Sequence, residues 1–217
     1  FHLQQGSEMS SKMVPKAHAG EKVGHFCVKD GRTVVIEYSD MPEAMQEERD
    51  ASGNLLFCSG SIAIHVLDVG FVERLGSGNA DIRLPFHLAR KKIPCLDAGG
   101  QPVEPKEPNG IKFEMFVFDA LPFARDPVII ETLRADDFSP VKNASGSDSP
   151  ETAKADQVRQ WTRWLKAAGV DLETDASGHP GFAFEVAPSF AATQQGFVEH
   201  WRSLEATPEI KAGTVLD

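Results

Sequence analysis

"KVGHFCVKDGRTVVIEYSD", residues 22–40, places two apolar runs on either side of Asp30-Gly31. Asp-Gly supplies the two positive-φ positions of a tight hairpin turn, so the stretch predicts a pair of antiparallel strands. The neighbouring segments alternate in kind. "MPEAMQEERDASG" (41–53) predicts a short exposed helix, with Pro42 near its start and Gly53 beyond its end. "NLLFCSGSIAIHVLDV" (54–69) is β-rich, and Gly60 inside it marks a bulge or a close backbone approach. "GFVERLG" (70–76) predicts a brief helix, and "LPFHLARKKIPCLDAGGQPVEPKEPNG" (84–110) a short helix that runs into a Pro/Gly-rich loop. In "IKFEMFVFDALPFA" (111–124), Phe113, Phe116, Val117 and Leu121 recur at helical spacing, which predicts a longer helix bent or ended by Pro122. "DPVIIETLRADD" (126–137) supplies a strand. Ser149-Pro150-Glu151 opens the clearest helix, which Gly169 closes. "GFAFEVAP" (181–188) reads as a final strand and "TQQGFVEHWRSLE" (193–205) as an amphipathic helix. Interleaved strands and helices predict an α/β fold, a mixed sheet with flanking helices. Ligands in such sheets gather at the loops that leave the carboxyl ends of strands.

The 217 residues are 41% hydrophobic and carry 22 basic against 32 acidic side chains, a formal net charge of -10. That is enough chain to bury a core in one or two domains. No contiguous basic patch is written in the sequence, which argues against nucleic acid or an anionic membrane as partner. An anionic small molecule remains open, because a few placed lysines can grip it. Cys27, Cys58 and Cys95 are far apart in apolar settings, match neither a disulfide framework nor a zinc pattern, and are expected to be buried thiols in a reducing, cytoplasmic setting. The chain opens on "FHLQQGSEMSSKMVPK", without a methionine at its head, and is expected to be a piece of a longer polypeptide.

Four places stand out chemically. Glu37 closes the run Val34-Val35-Ile36, where a carboxylate can accept hydrogen bonds from sugar hydroxyls or simply face solvent. Gly60-Ser61 lies within a strand. Phe116 and Phe118, two apart on the expected helix, are expected to face different directions. Lys16 and Lys142 sit in turn-like segments beside prolines, "KMVPK" (12–16) and "RADDFSPVKNA" (134–144). Most such lysines are only solvated.

Taken together, "GRTVVIEYSD" (31–40), "NLLFCSGSIAIH" (54–65), "KKIPCLD" (91–97), "EPNGIKFEMFVFDAL" (107–121) and "DDFSPVKNA" (136–144) resemble, in order and spacing, the UDP-N-acetylglucosamine pyrophosphorylases and related UTP:sugar-1-phosphate uridylyltransferases. The resemblance runs over about residues 1 to 190. It implies a Rossmann-like, GT-A-like nucleotidyltransferase fold. Residues 1–170 would form the carboxyl-terminal half of the catalytic domain and 171–217 the start of a carboxyl-terminal extension. It also implies that Gly24 and Glu37 line the sugar pocket, that Phe116 and Phe118 shape it around the sugar's N-acetyl group or its equivalent, and that Lys142 contacts the phosphates. Lys16 matches a basic position near the phosphates in related glucose-type enzymes.

The departures are equally specific. Where the family has asparagines in a "GNIANH"-like block, this chain has Ser61 and Ile64. A serine hydroxyl is shorter than an amide and carries one donor instead of two, which bears on sugar identity rather than on reaction class. No "GxGTR"-like glycine-rich nucleotide loop occurs. The chain therefore resembles the half with sugar and phosphate contacts, and the ligands for Mg²⁺ are expected in the amino-terminal half. The implied partners are UTP and a sugar-1-phosphate. The implied reaction is attack of a sugar-1-phosphate oxygen on the α-phosphorus of UTP, with release of pyrophosphate. The fragment itself is expected to be inactive. A non-catalytic sugar-nucleotide binding or regulatory module is the rival reading.

Overall fold

The computed structural model describes residues 1–78 and 82–217. They form two compact units, Phe1–Thr132 and Leu133–Asp217. The boundary expected at 170/171 falls inside the second unit, just past its main helix.

The first unit runs β1 (Met9–Pro15), β2 (Gly24–Lys29), β3 (Arg32–Ile36), α1 (Glu43–Gln46), β4 (Ser59–Leu67), α2 (Val69–Gly76), β5 (His87–Lys91), β6 (Cys95–Leu96), β7 (Pro102–Val103), β8 (Gly110–Glu114), a 3₁₀ helix (Val117–Phe123) and β9 (Val128–Glu131). Five strands make one mixed sheet in the order β3-β2-β4-β1-β9, in which only the β1–β9 pair is parallel. The β2–β3 hairpin turns at Asp30 (φ 51°) and Gly31 (φ 71°), the left-handed pair that the dipeptide predicts. On one face of the sheet Met9, Met13, Phe26 and Val35 pack with Phe71 of α2 and with Phe118, Ala120 and Leu121 of the 3₁₀ helix. Asp68 caps α2 by accepting from the Phe71 N–H, which aims the fully buried Phe71 ring at that core.

Several elements depart from the sequence reading, for identifiable reasons. "MSSKMVP" carries no strand signal of its own, yet it is β1, inside the sheet. Its buried serines are satisfied from far away, Ser10 by His2 and Ser11 by His65, each at 2.8 Å. Residues 87–91 and 110–114 form an antiparallel ribbon, β5–β8, rather than helices. Ile111 and Phe113 alternate with Lys112 and Glu114, a period of two, and the Lys112–Glu114 ion pair at 2.6 Å joins residues on one face of a strand. Beyond β8 the chain winds into the 3₁₀ helix, which accommodates Pro122 inside it. The helix after Pro42 is only four residues long. The cysteines are free, Cys27 and Cys58 half-buried and Cys95 exposed, rather than fully buried.

The second unit contains α3 (Arg134–Asp137), α4 (Pro150–Ala167), β10 (Glu185–Val186), α5 (Gln194–Ser203) and β11 (Val215–Leu216). α4 opens with a capping box between Ser149 and Thr152 and is followed by Gly169 at φ 95°. Its buried stripe of Val158, Trp164 and Leu165 packs with Phe197 and Trp201 of α5 and with the short parallel pair β10–β11. The strand expected over 181–188 is thus reduced to two residues. Among the described residues no helix is long and apolar enough to cross a membrane.

Glu8, at the entry to β1, is the main polar tie of the first unit. Its carboxylate accepts from Arg74 of α2 through both terminal nitrogens (2.7 and 2.6 Å) and from the side chain and backbone of Arg125 (2.7 and 2.8 Å). These bonds, Arg74 foremost, hold the carboxyl well below its usual 4.5 against the opposing effect of burial. A depressed folded value means that the contribution is full above about pH 4.5 and is lost as pH falls towards the folded value. Glu8→Gln is expected to cost roughly 2–3 kcal/mol near neutrality, discounted for the solvated Arg125, and to flatten the loss of stability on acidification. Urea denaturation of both proteins across the acid range checks this; parallel pH profiles would remove Glu8 as the source.

Candidate functional site

Strand alternation sorts the expected site residues between the two faces of the sheet. Gly24 pairs with Ser61, and Ser61 with Met13. These three therefore lie on the face that carries Phe26, Val35 and the aromatic core. Glu37 follows β3 onto the same face. A side chain at position 24 would meet the Glu37 carboxylate oxygen at 3.1 Å and a Val35 methyl at 2.6 Å. Glycine suits the position because a Val35 methyl first, and the Glu37 carboxylate second, stand close over the backbone. Ser61 is 9% exposed beside it.

Phe116 and Phe118 belong to the same side. They do not diverge as a helix would make them. Phe116 is extended (φ -114°, ψ 139°) and Phe118 enters the 3₁₀ helix, so their rings stack at 4.8 Å with an interplanar angle of 19°. Phe118 is buried in the core with Val35 and Met13, and Phe116 packs beside it. The structure thus brings Gly24, Glu37, Ser61, Phe116 and Phe118 to one face of one sheet.

Lys16 lies elsewhere. Its neighbours Gly60 and His25 occupy the opposite face, and a Cβ at Gly60 would meet the Lys16 Cγ at 3.4 Å, Val23 at 3.0 Å and the Val14 carbonyl at 3.1 Å. This is the close backbone approach that a glycine within a strand signals. The Lys16 ammonium donates to the Ala19 carbonyl at 2.5 Å and to His25 Nε2 at 2.6 Å. His25, fully buried, donates from Nδ1 to the Ile36 carbonyl at 3.2 Å, which fixes its tautomer. Burial pushes the Lys16 ammonium down, with Glu21 and Glu47 opposing, and burial followed by the Lys16 charge pushes His25 down, leaving the ring neutral. Lys16 lines a cleft of about 820 Å³ with Arg49, Asp50 and Glu47, and that cleft contains none of the other expected site residues of the first unit.

Lys142 belongs to the second unit. Its backbone N–H and that of Asn143 both donate to the Asp148 carbonyl (2.7 and 2.9 Å), and Asn143 bonds Ser147, so the lysine is exposed on a closed loop pinned to the cap of α4. Such a loop fixes the backbone while leaving the side chain near solvent.

Three groups at this site, His87, Asp119 and Asp40, stand outside the residues that the sequence singles out. His87 of β5 donates from Nε2 to Asp119 at 2.8 Å, its Nδ1 lies 3.8 Å from Asp40, and its ring packs on Phe116 at 4.8 Å. A lone histidine in the alternating stretch "FHLARK" is the signal that a strand assignment would have exposed. Among the described residues, no three His, Cys, Asp or Glu side chains are grouped so that they could hold a metal ion.

Residues 1–149 match the family model described as UTP–glucose-1-phosphate uridylyltransferase. The chain is 40% identical over 182 residues to UDP-N-acetylhexosamine pyrophosphorylase-like protein 1 of Xenopus tropicalis, covering 83% of this chain and 35% of that protein. It is 37% identical over 176 residues to UDP-N-acetylglucosamine pyrophosphorylase of Saccharomyces cerevisiae, covering 78% and 36%. The solved structure of uridine diphosphate N-acetylglucosamine pyrophosphorylase from Trypanosoma brucei, in complex with an inhibitor, superposes with a TM-score of 0.73 at 26% identity, covering 99% of this chain and 44% of that one. The chain thus spans about a third of the length of these curated relatives. The mixed α/β fold is a nucleotidyltransferase-like one.

The crowding at position 24 makes a direct test. Gly24→Ala inserts a methyl against Val35 and the Glu37 carboxylate and is expected to cost roughly 1–3 kcal/mol as the two shift apart. Chemical denaturation measures it, and an unchanged midpoint would show that Val35 and Glu37 do not crowd the backbone at position 24.

Proposed function

Because the chain belongs to the UTP–glucose-1-phosphate uridylyltransferase family, we propose that it supplies the sugar-1-phosphate side of an enzyme that forms a UDP-sugar and pyrophosphate from UTP and N-acetylglucosamine-1-phosphate or glucose-1-phosphate. The observation that carries this reading is the Glu37 carboxylate drawn over Gly24 on the face that also bears the stacked Phe116–Phe118 pair. A carboxylate against bare backbone can accept from vicinal hydroxyls, and an aromatic wall can lie against a pyranose ring or an acetamido methyl.

In the reaction a bond forms between the sugar phosphate oxygen and the α-phosphorus of UTP, the bond to the oxygen bridging the α- and β-phosphorus breaks, and pyrophosphate leaves. No proton needs removal, since the attacking phosphate is already ionised. What the protein adds is positioning and positive charge where phosphates crowd. Lys142 is the residue to which we assign that charge, as a compact ammonium on a backbone-fixed loop. Lys16, tied to His25 and Ala19, is assigned the holding of the loop after β1. Mg²⁺ would supply further charge neutralisation in such chemistry; among the described residues no three His, Cys, Asp or Glu side chains are grouped to hold a metal ion. A cytoplasmic setting goes with this reading and with three unpaired thiols.

Steady-state kinetics on the intact protein test the assignment. Glu37→Gln is expected to raise KM for the sugar phosphate about tenfold and leave KM for UTP nearly unchanged, because only the sugar hydroxyls lose a charged acceptor. Lys142→Ala is expected to lower kcat on the order of a hundredfold. A loss under about threefold in the lysine variant would reassign that residue to the solvent.

A further inference from the structure

The first unit holds one polar cluster that the proposed chemistry does not use. His87 projects from β5 into the region where the 3₁₀ helix and the loop after β3 meet. Its Nε2–H donates to Asp119 Oδ2 at 2.8 Å, its ring lies against Phe116 at 4.8 Å and edge-on to Phe118 at 6.3 Å, and Nδ1 faces Asp40 Oδ2 at 3.8 Å. Asp119 is mostly buried and Asp40 exposed, while Glu114 is the register partner of His87 on β8. Three carboxylates on three segments therefore surround one imidazole.

The position of that imidazole has geometric consequences. Asp40 comes three residues after Glu37, in a turn whose Asp40 and Met41 N–H groups donate back to the Glu37 carbonyl. Asp119 is the residue next to Phe118. His87 consequently stands between the segment that carries the carboxylate and the segment that carries the aromatic pair. We propose that His87 is a positioning residue that sets the spacing between Glu37 and the Phe116–Phe118 wall, and thereby selects between sugar 1-phosphates with and without a 2-acetamido group. This rests on the reading of that face as the sugar side. The Nε2–Asp119 bond fixes the ring plane, and the ring packs on Phe116 and edge-on to Phe118, with the Asp40 turn that follows Glu37 beside it. Loss of the imidazole frees Phe116 to tilt and the turn to open, which changes the space for a substituent without touching the reacting phosphates.

The test is calorimetric titration of N-acetylglucosamine-1-phosphate and of glucose-1-phosphate into the intact protein, as wild type, His87→Ala, His87→Gln and Glu37→Gln. His87→Ala is expected to weaken N-acetylglucosamine-1-phosphate binding roughly tenfold and to move the ratio of the two affinities towards unity by about fivefold. His87→Gln, whose amide N–H can still donate to Asp119, is expected to restore most of the ratio. UTP affinity should stay within about twofold in both His87 variants. If Glu37→Gln weakens sugar phosphate binding while His87→Ala leaves both affinities and their ratio unchanged, the positioning role is overturned and the sugar-side reading stands. Equal weakening by His87→Ala and His87→Gln, with no change in ratio, also overturns it. If wild type and Glu37→Gln bind sugar phosphates alike, or wild type binds none, the sugar-side reading falls and the role of His87 falls with it.

Discussion

The carboxylate of Glu8 lies between two guanidinium groups that arrive from separate segments of the first unit, Arg74 on α2 and Arg125 beyond the 3₁₀ helix. Its side chain is 7% exposed, so a lost partner would leave a charge with little water to replace it. The geometry fixes where β1 enters the sheet, and β1 is flanked by β4 and β9. Register is set by that entry. One residue of slip would send Met9 and Met13 to the wrong face and Val14 into the aromatic core. The sorting of Glu37 and Ser61 to one face and of Lys16 to the other therefore depends on the same anchor.

Two faces of one sheet do different work. On one, glycine at position 24 lets a carboxylate lie close to bare backbone on the face that also bears an aromatic stack. On the other, Val14, Val23 and Gly60 close in around a lysine whose hydrogen bonds are spent within the protein. Buried lysines shift readily and are often read as reactive, but a lysine held by a neutral histidine and a carbonyl is already committed. Its cost of burial is offset by those bonds and by the acidic groups nearby, Glu21 and Glu47.

Local signals carried as much of the fold as local signals can. Asp30-Gly31 announces its turn because the two φ values it needs are costly for most other residues, and Ser149-Pro150 announces α4 because a cap and a proline at N1 act within one turn. β1 was hidden because Ser10 and Ser11 look solvated until His2 and His65 are known to reach them. In residues 111–118 the apolar positions satisfy both a period of two and helical spacing, and only the partner strand β5 decides between them. The site divides in the same way. The motifs single out Glu37 and the two phenylalanines as candidates, but that they share a face, and on which side Lys16 falls, requires the strand pairing, and the place of His87 requires β5.

The parallel pairing of β1 with β9 joins Ser10 to Val128 and Met13 to Glu131, while the β2–β3 hairpin closes over a two-residue turn. Contacts so unequal in sequence separation impose an order on assembly, because the long loop must be closed before its contacts return anything. The hairpin can form as soon as its residues exist. The sheet as a whole stays unclosed, with one side of β1 unpaired, until residue 131 has been synthesised and docked. Until then β1 presents an unpaired edge of the kind that other strands can template on.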